Sequence, residues 1–256
     1  MNNKFKKALI TTAFVSAVAA AGVASAETVK IGVSAEPYPP FTYISPAGDW
    51  TGFEVDVGKA ICEEAGLECT TVPTSWSGII PALESGKIDM IMNSMTVNPA
   101  REKIINFTHP YYDSDLEYVA LNSTRITPPA GLKGKALGVQ GATEAATYAK
   151  NVLEPLGARI RIYDKQEQIN RDLSARRIDM MLIDSVFAAP VLNENPKMAG
   201  FGNPTDSEKQ HMAIGLRKSD VQLKEKLDRA VVEILKNGTC TKLSMKYLHG
   251  DICTKL

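Results

Sequence analysis

The sequence predicts an α/β protein built from two halves of similar design, each a sheet flanked by helices. Short apolar runs that are typical of buried strands alternate with segments whose apolar residues recur at helical spacing. In addition, residues 83–91 (LESGKIDMI) resemble residues 173–181 (LSARRIDMM), and each segment runs from the end of a helix pattern into a strand pattern. This internal repeat indicates two related halves, and the alternative is a chance match over nine residues.

Residues 1–26 are typical of a cleavable export signal. Lys4, Lys6 and Lys7 precede a run of small and apolar residues, and residues 24–26 (ASA) have the small-x-small form of a cleavage site. We expect export from the cytoplasm and cleavage after residue 26. No later stretch reaches the ~18 consecutive apolar residues that a membrane span requires, so the product is expected to be soluble.

The composition after the signal argues against several functions. The remaining 230 residues contain 26 Lys and Arg against 29 Asp and Glu, which is not the basic surface that nucleic acids require. Three histidines are present, and no pair of His or Cys residues has the spacing of zinc ligands, so we expect neither a metal nor a cofactor. The turn at Gly141 lacks the Gly-Lys-Ser/Thr of a nucleotide-binding loop.

Four cysteines in an exported chain indicate disulfides, and they allow three pairings. Cys62 ends a helix pattern and Cys69 begins a strand just after a glycine, which favours a local bridge. Cys240 and Cys253 would then connect the last helix to the C-terminal tail.

A proline-rich loop follows the first strand, which is predicted at residues 29–33. Three prolines within residues 37–40 prevent helix formation and hold the segment extended, so that it presents Glu36, Tyr38 and Phe41. Aromatic side chains on such a loop suit a binding surface. The alternative is that Tyr38 and Phe41 cover the edge of a core.

Trp76 stands between a strand at residues 67–72 and a helix that is predicted to begin at Ser77. It lies outside the periodic apolar face of that helix. Its indole is therefore either a hydrophobic staple or a stacking platform for a ligand.

A helix start follows the strand at residues 88–92. Asn98 is a favoured N-cap and Pro99 is tolerated at the first helical position. Arg101 then lies in the first turn, where the helix dipole disfavours a cation, so a shared anion such as a carboxylate or phosphate is indicated. The alternative is a surface arginine that pairs with Glu102.

The second half repeats the arrangement of strands that end in polar residues. A strand at residues 135–139 ends at Gln140, and a strand at residues 178–183 ends at Asp184. Ligands of open α/β sheets bind beyond the carboxyl ends of strands, so the strand ends of both halves are expected to face one cleft. The other predicted elements are helices at about 52–62, 143–156, 166–176, 219–236 and 240–248 and strands at 116–121, 159–163 and 210–216.

A set of motifs occurs in a fixed order along the chain after the signal: PYPPF from residue 37, GFEVD from 52, WSGIIPAL from 76, TVNPAR from 96, GVQGAT from 138 and GLRKSD from 215. In this order the chain resembles the periplasmic solute-binding proteins of polar amino-acid ABC importers, which include the lysine/arginine/ornithine, histidine and opine binders. The resemblance implies a two-lobed type II periplasmic-binding-protein fold with hinge crossings near residues 113–118 and 207–212. Lobe 1 would contain residues 27–115 and 211–256, lobe 2 residues 116–210, and the lobes would close on a ligand.

The resemblance also implies a set of charged and hydroxyl ligand contacts. Arg101 is similar to the arginine that binds the ligand α-carboxylate, with help from Ser94, Thr96 and Thr143. Asp184 is similar to the carboxylate that receives the α-ammonium group.

The remaining implied contacts surround the ligand side chain. Tyr38 and Trp76 resemble an aromatic pair that encloses it, and Asn93 and Gln140 are polar contacts. Many basic-amino-acid binders have an acid three residues before the loop tyrosine, whereas this chain has an acid two residues before it, at Glu36.

The function implied is a non-catalytic, monomeric receptor. It would capture an amino acid or a derivative, either opine-like or polar and basic, and deliver it to a membrane permease of an ABC transporter. The alternatives are an enzyme of the same fold, similar to the cyclohexadienyl dehydratases with Glu36 or Glu144 as the acid, and a ligand-sensing module.

Overall fold

The computed structural model describes residues 28–256, so the predicted export signal lies outside the described residues. The strands are β1 Thr28–Ser34, β2 Tyr43–Ile44, β3 Trp50–Thr51, β4 Glu68–Thr74, β5 Met90–Ile91, β6 Asn106–Phe107, β7 Tyr112–Ser114, β8 Leu116–Leu121, β9 Ala136–Gln140, β10 Arg159–Tyr163, β11 Met180–Asp184, β12 Met198–Gly200, β13 Gln210–Met212 and β14 Gly215–Leu216. The helices are α1 Phe53–Ala65, α2 Ile79–Glu84, α3 Pro99–Glu102, α4 Glu144–Tyr148, α5 Gln166–Ser174, α6 Ser185–Glu194, α7 Val221–Lys236 and α8 Thr239–Leu248. Within this part of the chain no helix is long and apolar enough to cross a bilayer.

Two five-stranded sheets form the centres of two lobes. The strand order is β4-β1-β5-β14-β6 in lobe 1 and β10-β9-β11-β8-β12 in lobe 2. Strand β1 pairs in parallel with β4 and β5, and β9 pairs in parallel with β10 and β11. Parallel neighbours need a crossover, which is why strand and helix patterns alternate in the sequence. The predicted α/β fold with two sheet-and-helix lobes is confirmed.

The internal repeat occupies equivalent places in the two lobes. The Asp89 N–H donates to the Lys30 carbonyl at 2.8 Å, and the Lys30 N–H donates to the Asp89 carboxylate at 3.0 Å. Asp179 makes the same two hydrogen bonds with Ala136, at 2.8 and 2.7 Å. Each aspartate therefore fixes the start of the central strand of its sheet, β5 or β11, against the neighbouring strand, β1 or β9.

A pair of short strands connects the lobes. Strands β7 and β13 are antiparallel, with Tyr112 opposite Met212 and Ser114 opposite Gln210. They coincide with the regions where the chain was expected to cross from one lobe to the other. The C-terminal tail reinforces this region because Cys253 pairs with Tyr112 and is bonded to Cys240.

Both disulfides join the pairs that the sequence favours, which are Cys62–Cys69 and Cys240–Cys253. The first connects α1 to β4. The second connects α8 to the tail, and α8 in turn packs on α1 and α7.

Several local predictions are wrong. Ser77 does not cap a helix: a 3-10 turn covers Trp76–Gly78, and α2 begins after Gly78. The loop does not present Phe41 on its surface: the ring is fully buried, in agreement with the alternative in which it belongs to a core.

The end of lobe 2 also differs from the prediction. The strand predicted at residues 210–216 is divided into β13 and β14, which pair with different partners. Helix α6, which contains Pro190, and strand β12 lie in a region for which the sequence predicts no element.

Candidate functional site

A cavity of about 330 Å³ lies between the lobes, at the carboxyl ends of β1, β4 and β5 from lobe 1 and of β9, β10 and β11 from lobe 2. This is the location that the strand-end rule predicts. All ten residues proposed from the sequence as ligand contacts line it, namely Glu36, Tyr38, Trp76, Asn93, Ser94, Thr96, Arg101, Gln140, Thr143 and Asp184.

Arg101 projects from a single helical turn. The Asn98 side chain caps this turn by accepting the Arg101 N–H at 2.8 Å, with Pro99 at the first helical position, as predicted. However, α3 has only four residues, so the local anion site depends on the guanidinium more than on a helix dipole. The side chain is 9% exposed and lies with its guanidinium carbon 5.7 Å from the centre of the Trp76 ring.

Two hydrogen bonds fix the Arg101 guanidinium. Nη1 donates to the Thr96 carbonyl at 2.7 Å, and Nη2 donates to the Ala142 carbonyl of the other lobe at 2.8 Å. Burial lowers its pKa, and the nearby carboxylates Glu144 and Asp184 oppose this effect. An arginine has five N–H donors and stays protonated, so a planar anion can still be bound by the remaining donors.

Asp184 faces the same cavity from the end of β11. Burial raises its pKa to about 6, and Gln210 and the positive charge of Arg101 oppose the shift. No ion pair of 4.0 Å or less joins Asp184 to a basic group within residues 28–256. A half-buried carboxylate of this kind is stabilised by a cation that enters the cavity.

The floor of the cavity is the segment after β5. Asn93 Oδ1 accepts the Ser34 N–H at 2.8 Å, which fixes the amide between two strand ends. Ser94 has a positive φ of 52°, a conformation that non-glycine residues rarely adopt. Its hydroxyl is buried and has no hydrogen-bond partner among residues 28–256.

The hydroxyls of the two threonines are already engaged. Thr96 Oγ1 donates to Gln210 Oε1 at 3.1 Å, and Thr143 Oγ1 donates to the Gln140 carbonyl at 2.7 Å. Thr143 also caps α4 by accepting the Ala146 N–H. Thr143 therefore fixes the backbone before α4 and Thr96 holds the Gln210 side chain, whereas Ser94 has a hydroxyl that can still turn toward a ligand.

The aromatic loop places one ring in the site and one in the core. Tyr38 packs against Phe187 of lobe 2 and against Phe41, whose ring also packs on Phe53. Both interpretations of the loop are thus correct in part: Tyr38 lines the cavity and Phe41 belongs to the core.

Hydrogen bonds between protein groups cross the cleft. The Trp76 indole N–H donates to the Gly141 carbonyl at 3.1 Å, and the Asn98 amide donates to Glu144 at 3.0 Å. Arg101 also donates across the cleft, to the Ala142 carbonyl. Three hydrogen bonds therefore connect Trp76, Asn98 and Arg101 of lobe 1 to Gly141, Glu144 and Ala142 of lobe 2.

Sequence reasoning missed several cavity residues, including Lys165, Gln166 and Glu167. They follow the end of β10, so the strand-end rule could have identified them. Burial raises the pKa of Glu36, and the positive charge of Lys165 opposes that shift, which places these two side chains near each other across the cleft.

Comparisons with known proteins agree with the fold and the cavity. Residues 29–250 match the model of the bacterial extracellular solute-binding proteins, family 3. The L-arginine-binding protein of Pseudomonas aeruginosa is 33% identical, over 96% of this chain and 98% of that protein. The histidine-binding periplasmic protein of Salmonella typhimurium is 34% identical, over 96% of this chain and 98% of that protein.

A solved structure gives the same result for the fold. An ancestral arginine-binding protein bound to arginine superposes with a TM-score of 0.80 and 30% identity, and the match covers 86% of this chain and 97% of that protein. The two-lobed architecture is therefore the type II periplasmic-binding-protein fold. Family, curated relatives and structure agree over nearly the full length, so the chain belongs to family 3 of the bacterial extracellular solute-binding proteins.

Proposed function

We propose that this protein is an extracytoplasmic receptor that binds the zwitterionic part of an amino acid between its lobes. The observation on which the proposal depends is that Arg101 of lobe 1 and Asp184 of lobe 2 line one cavity. Arg101 binds the α-carboxylate, with the Ser94 hydroxyl as a second donor, and Asp184 receives the α-ammonium group. Because the two charges belong to different lobes, a zwitterion connects them only when the cleft is closed.

The charges of the cavity favour a basic side chain on the ligand. Four carboxylates line it (Glu36, Glu144, Glu167 and Asp184), against the two cations Arg101 and Lys165. Glu167 pairs with Arg171, so after the α-groups are paired two carboxylates and one cation remain, which suits a cationic side chain and disfavours an opine with an additional carboxylate. The names of the curated relatives, which bind arginine and histidine, support the same class.

The remaining parts of the proposal come from the family. The receptor acts in the periplasm as a monomer after loss of residues 1–26, and residues 27–115 with 211–256 move as one lobe against residues 116–210. It delivers its ligand to the membrane permease of an ABC transporter without catalysis.

Isothermal titration of residues 27–256 tests the ligand class. L-Arginine, L-lysine and L-histidine are expected to bind, whereas agmatine, which is arginine without its carboxylate, is expected to bind at least about 100-fold more weakly because Arg101 is left without its anion. Octopine serves as the opine comparison. Equal binding of agmatine and L-arginine would refute the zwitterion site. Octopine carries the arginine side chain and one additional carboxylate, so its preferential binding would refute the expected discrimination against opines.

A second experiment tests delivery. A strain that lacks this chain is expected to lose uptake of the radiolabelled ligand and to regain it when the chain is restored. Unchanged uptake, together with a ligand-dependent complex with a membrane receptor, would indicate a sensory module instead. Turnover of prephenate or arogenate by the purified protein would indicate an enzyme.

A further inference from the structure

A buried carboxylate lies directly beneath the cavity but does not line it. Glu54 belongs to the first turn of α1 and is 2% exposed. No Lys, Arg or His side chain forms an ion pair with it within the described part of the chain. A buried acid without a cationic partner is costly to keep ionised, so its presence needs an explanation.

The contacts of Glu54 connect it to the ligand site. Its Oε1 accepts the Ser94 N–H at 2.8 Å and also accepts the Tyr111 hydroxyl. Ser94 is the residue with φ of 52°, and its N–H bond to Glu54 fixes this unusual backbone conformation. Glu54 therefore determines where the Ser94 hydroxyl lies.

Three polar atoms around this contact have no hydrogen-bond partner among residues 28–256. They are Glu54 Oε2, Ser94 Oγ and Tyr112 Oη, and all three are buried. Ser94 is the one of these three residues that also lines the cavity. Ser94 thus lies between the buried Glu54 carboxylate and the ligand cavity.

We propose that Glu54 is a positioning residue that takes up a proton when ligand binds and so frees the Ser94 hydroxyl to donate to the ligand carboxylate. This inference rests on the proposed function, because it needs a carboxylate at Ser94. In the ionised form, Glu54 can only accept, so it competes with the ligand carboxylate for the unengaged Ser94 O–H. In the neutral form, the Glu54 O–H donates to Ser94 Oγ, and the Ser94 O–H points to the ligand. The proton comes from solvent, and no covalent bond in the ligand changes.

The surroundings of Glu54 place this exchange near neutral pH. Burial raises its pKa to about 7, while the hydrogen bonds from Tyr111 and Ser94 oppose the shift. The other titratable groups near it are Tyr112 and Tyr38, and these two hydroxyls also lie near Asp184 of the other lobe. A ligand carboxylate bound at Ser94 adds a second negative charge and raises the pKa of Glu54 further.

Titration calorimetry with L-arginine in buffers of different ionisation enthalpy measures the proton exchange. At pH 7.5 the parent protein is expected to take up about 0.5 proton per ligand if the bound carboxylate raises the Glu54 pKa by about one unit. Glu54→Gln keeps an acceptor for Ser94 and Tyr111 but cannot titrate. It is expected to bind within about threefold of the parent and to show no uptake.

Two further variants separate this role from a structural one. Glu54→Met removes the acceptor and is expected to weaken binding at least tenfold, so that recovery by glutamine identifies the acceptor as the cause. Ser94→Ala keeps the Cβ but removes the hydroxyl between Glu54 and the ligand. It is expected to reduce proton uptake, because only the charge of the ligand carboxylate then acts on Glu54. Thermal melting of each variant without ligand checks folding.

The outcomes are distinct. If the parent protein binds no amino acid, the proposed function and this inference fail together. If the parent binds L-arginine and Glu54→Gln or Ser94→Ala takes up as many protons as the parent, the proposed function stands and the role of Glu54 is wrong.

Discussion

Replacing Asp184 with asparagine is expected to change stability and affinity in opposite directions. Burial raises the Asp184 pKa from 3.8 to about 6. Because the folded-state pKa is higher than the unfolded value, folding favours the protonated acid. The stabilisation from protonated Asp184 is complete below about pH 3.8 and is lost as the pH rises through about 6. At pH 7.5 the ionised form therefore costs the ligand-free protein up to about 3 kcal/mol.

Asp184→Asn removes this cost and should raise the melting temperature of the ligand-free protein. At about 2–4 °C per kcal/mol for a chain of this size, the increase is several degrees. The same change removes the partner of the α-ammonium group, which should cost about 2–5 kcal/mol of binding free energy. Since about 1.4 kcal/mol corresponds to a factor of ten, the dissociation constant for L-arginine should rise at least about 30-fold.

Differential scanning calorimetry without ligand and titration calorimetry with L-arginine, both at pH 7.5, measure the two effects. Glu167→Gln is the matched control, because it removes one negative charge from the same cavity at an exposed position that pairs with Arg171. It should change affinity by less than about threefold. The reasoning is refuted if Asp184→Asn binds within threefold of the parent protein or if it melts several degrees lower without ligand.

The other predictions concern the cleft and the second disulfide. Arg101→Lys should weaken L-arginine binding at least about 30-fold in titration calorimetry, because one ammonium group cannot replace a fork that bonds both lobes and the ligand; a loss below threefold would show that a point charge is sufficient. Trp76→Phe keeps a ring but loses the bond to Gly141, so we expect a loss of about 1 kcal/mol, or about fivefold, and an unchanged constant would exclude that bond from closure. Replacing Cys240 and Cys253 with serine should lower the free energy of unfolding in urea by about 3 kcal/mol, because the bridge closes a loop of about 14 residues. Ligand affinity should not change, and a large loss of affinity would indicate that the bridge also holds the strands between the lobes.

Sequence reasoning succeeded where the structure depends on local chemistry. The start of α3 follows from the capping preferences of Asn98 and Pro99, and the bounds of β8 and β10 follow from short apolar runs. The repeated Ile-Asp-Met segment predicted two related halves. The structure explains the repeat, because the aspartate in each copy makes the same backbone contacts.

It failed where pairing between distant segments decides the result. Residues 210–216 form two strands because β13 pairs with β7, whereas β14 pairs with β5 and β6. These partners are distant in the sequence, so the pattern of residues 210–216 does not reveal them. Helix α6 contains Pro190 and lacks a polar face, so its pattern does not predict a surface helix. The sequence shows Glu54 only as part of the GFEVD motif. Its contact with Ser94 is not predictable from that motif, because it depends on how α1 packs against the end of β5.

The three hydrogen bonds that cross the cleft have a consequence for how affinity can change over evolution. They join protein groups alone, so they add to the free energy of closure whatever the ligand is. Apparent affinity equals the intrinsic affinity of the closed form multiplied by the fraction of the free protein that is closed. A change that removes only such a bond therefore weakens binding of all ligands by the same factor and leaves their order unchanged. Strength of binding and choice of ligand are then set by different contacts, so the receptor can adapt to scarcer or richer surroundings without a change in what it binds.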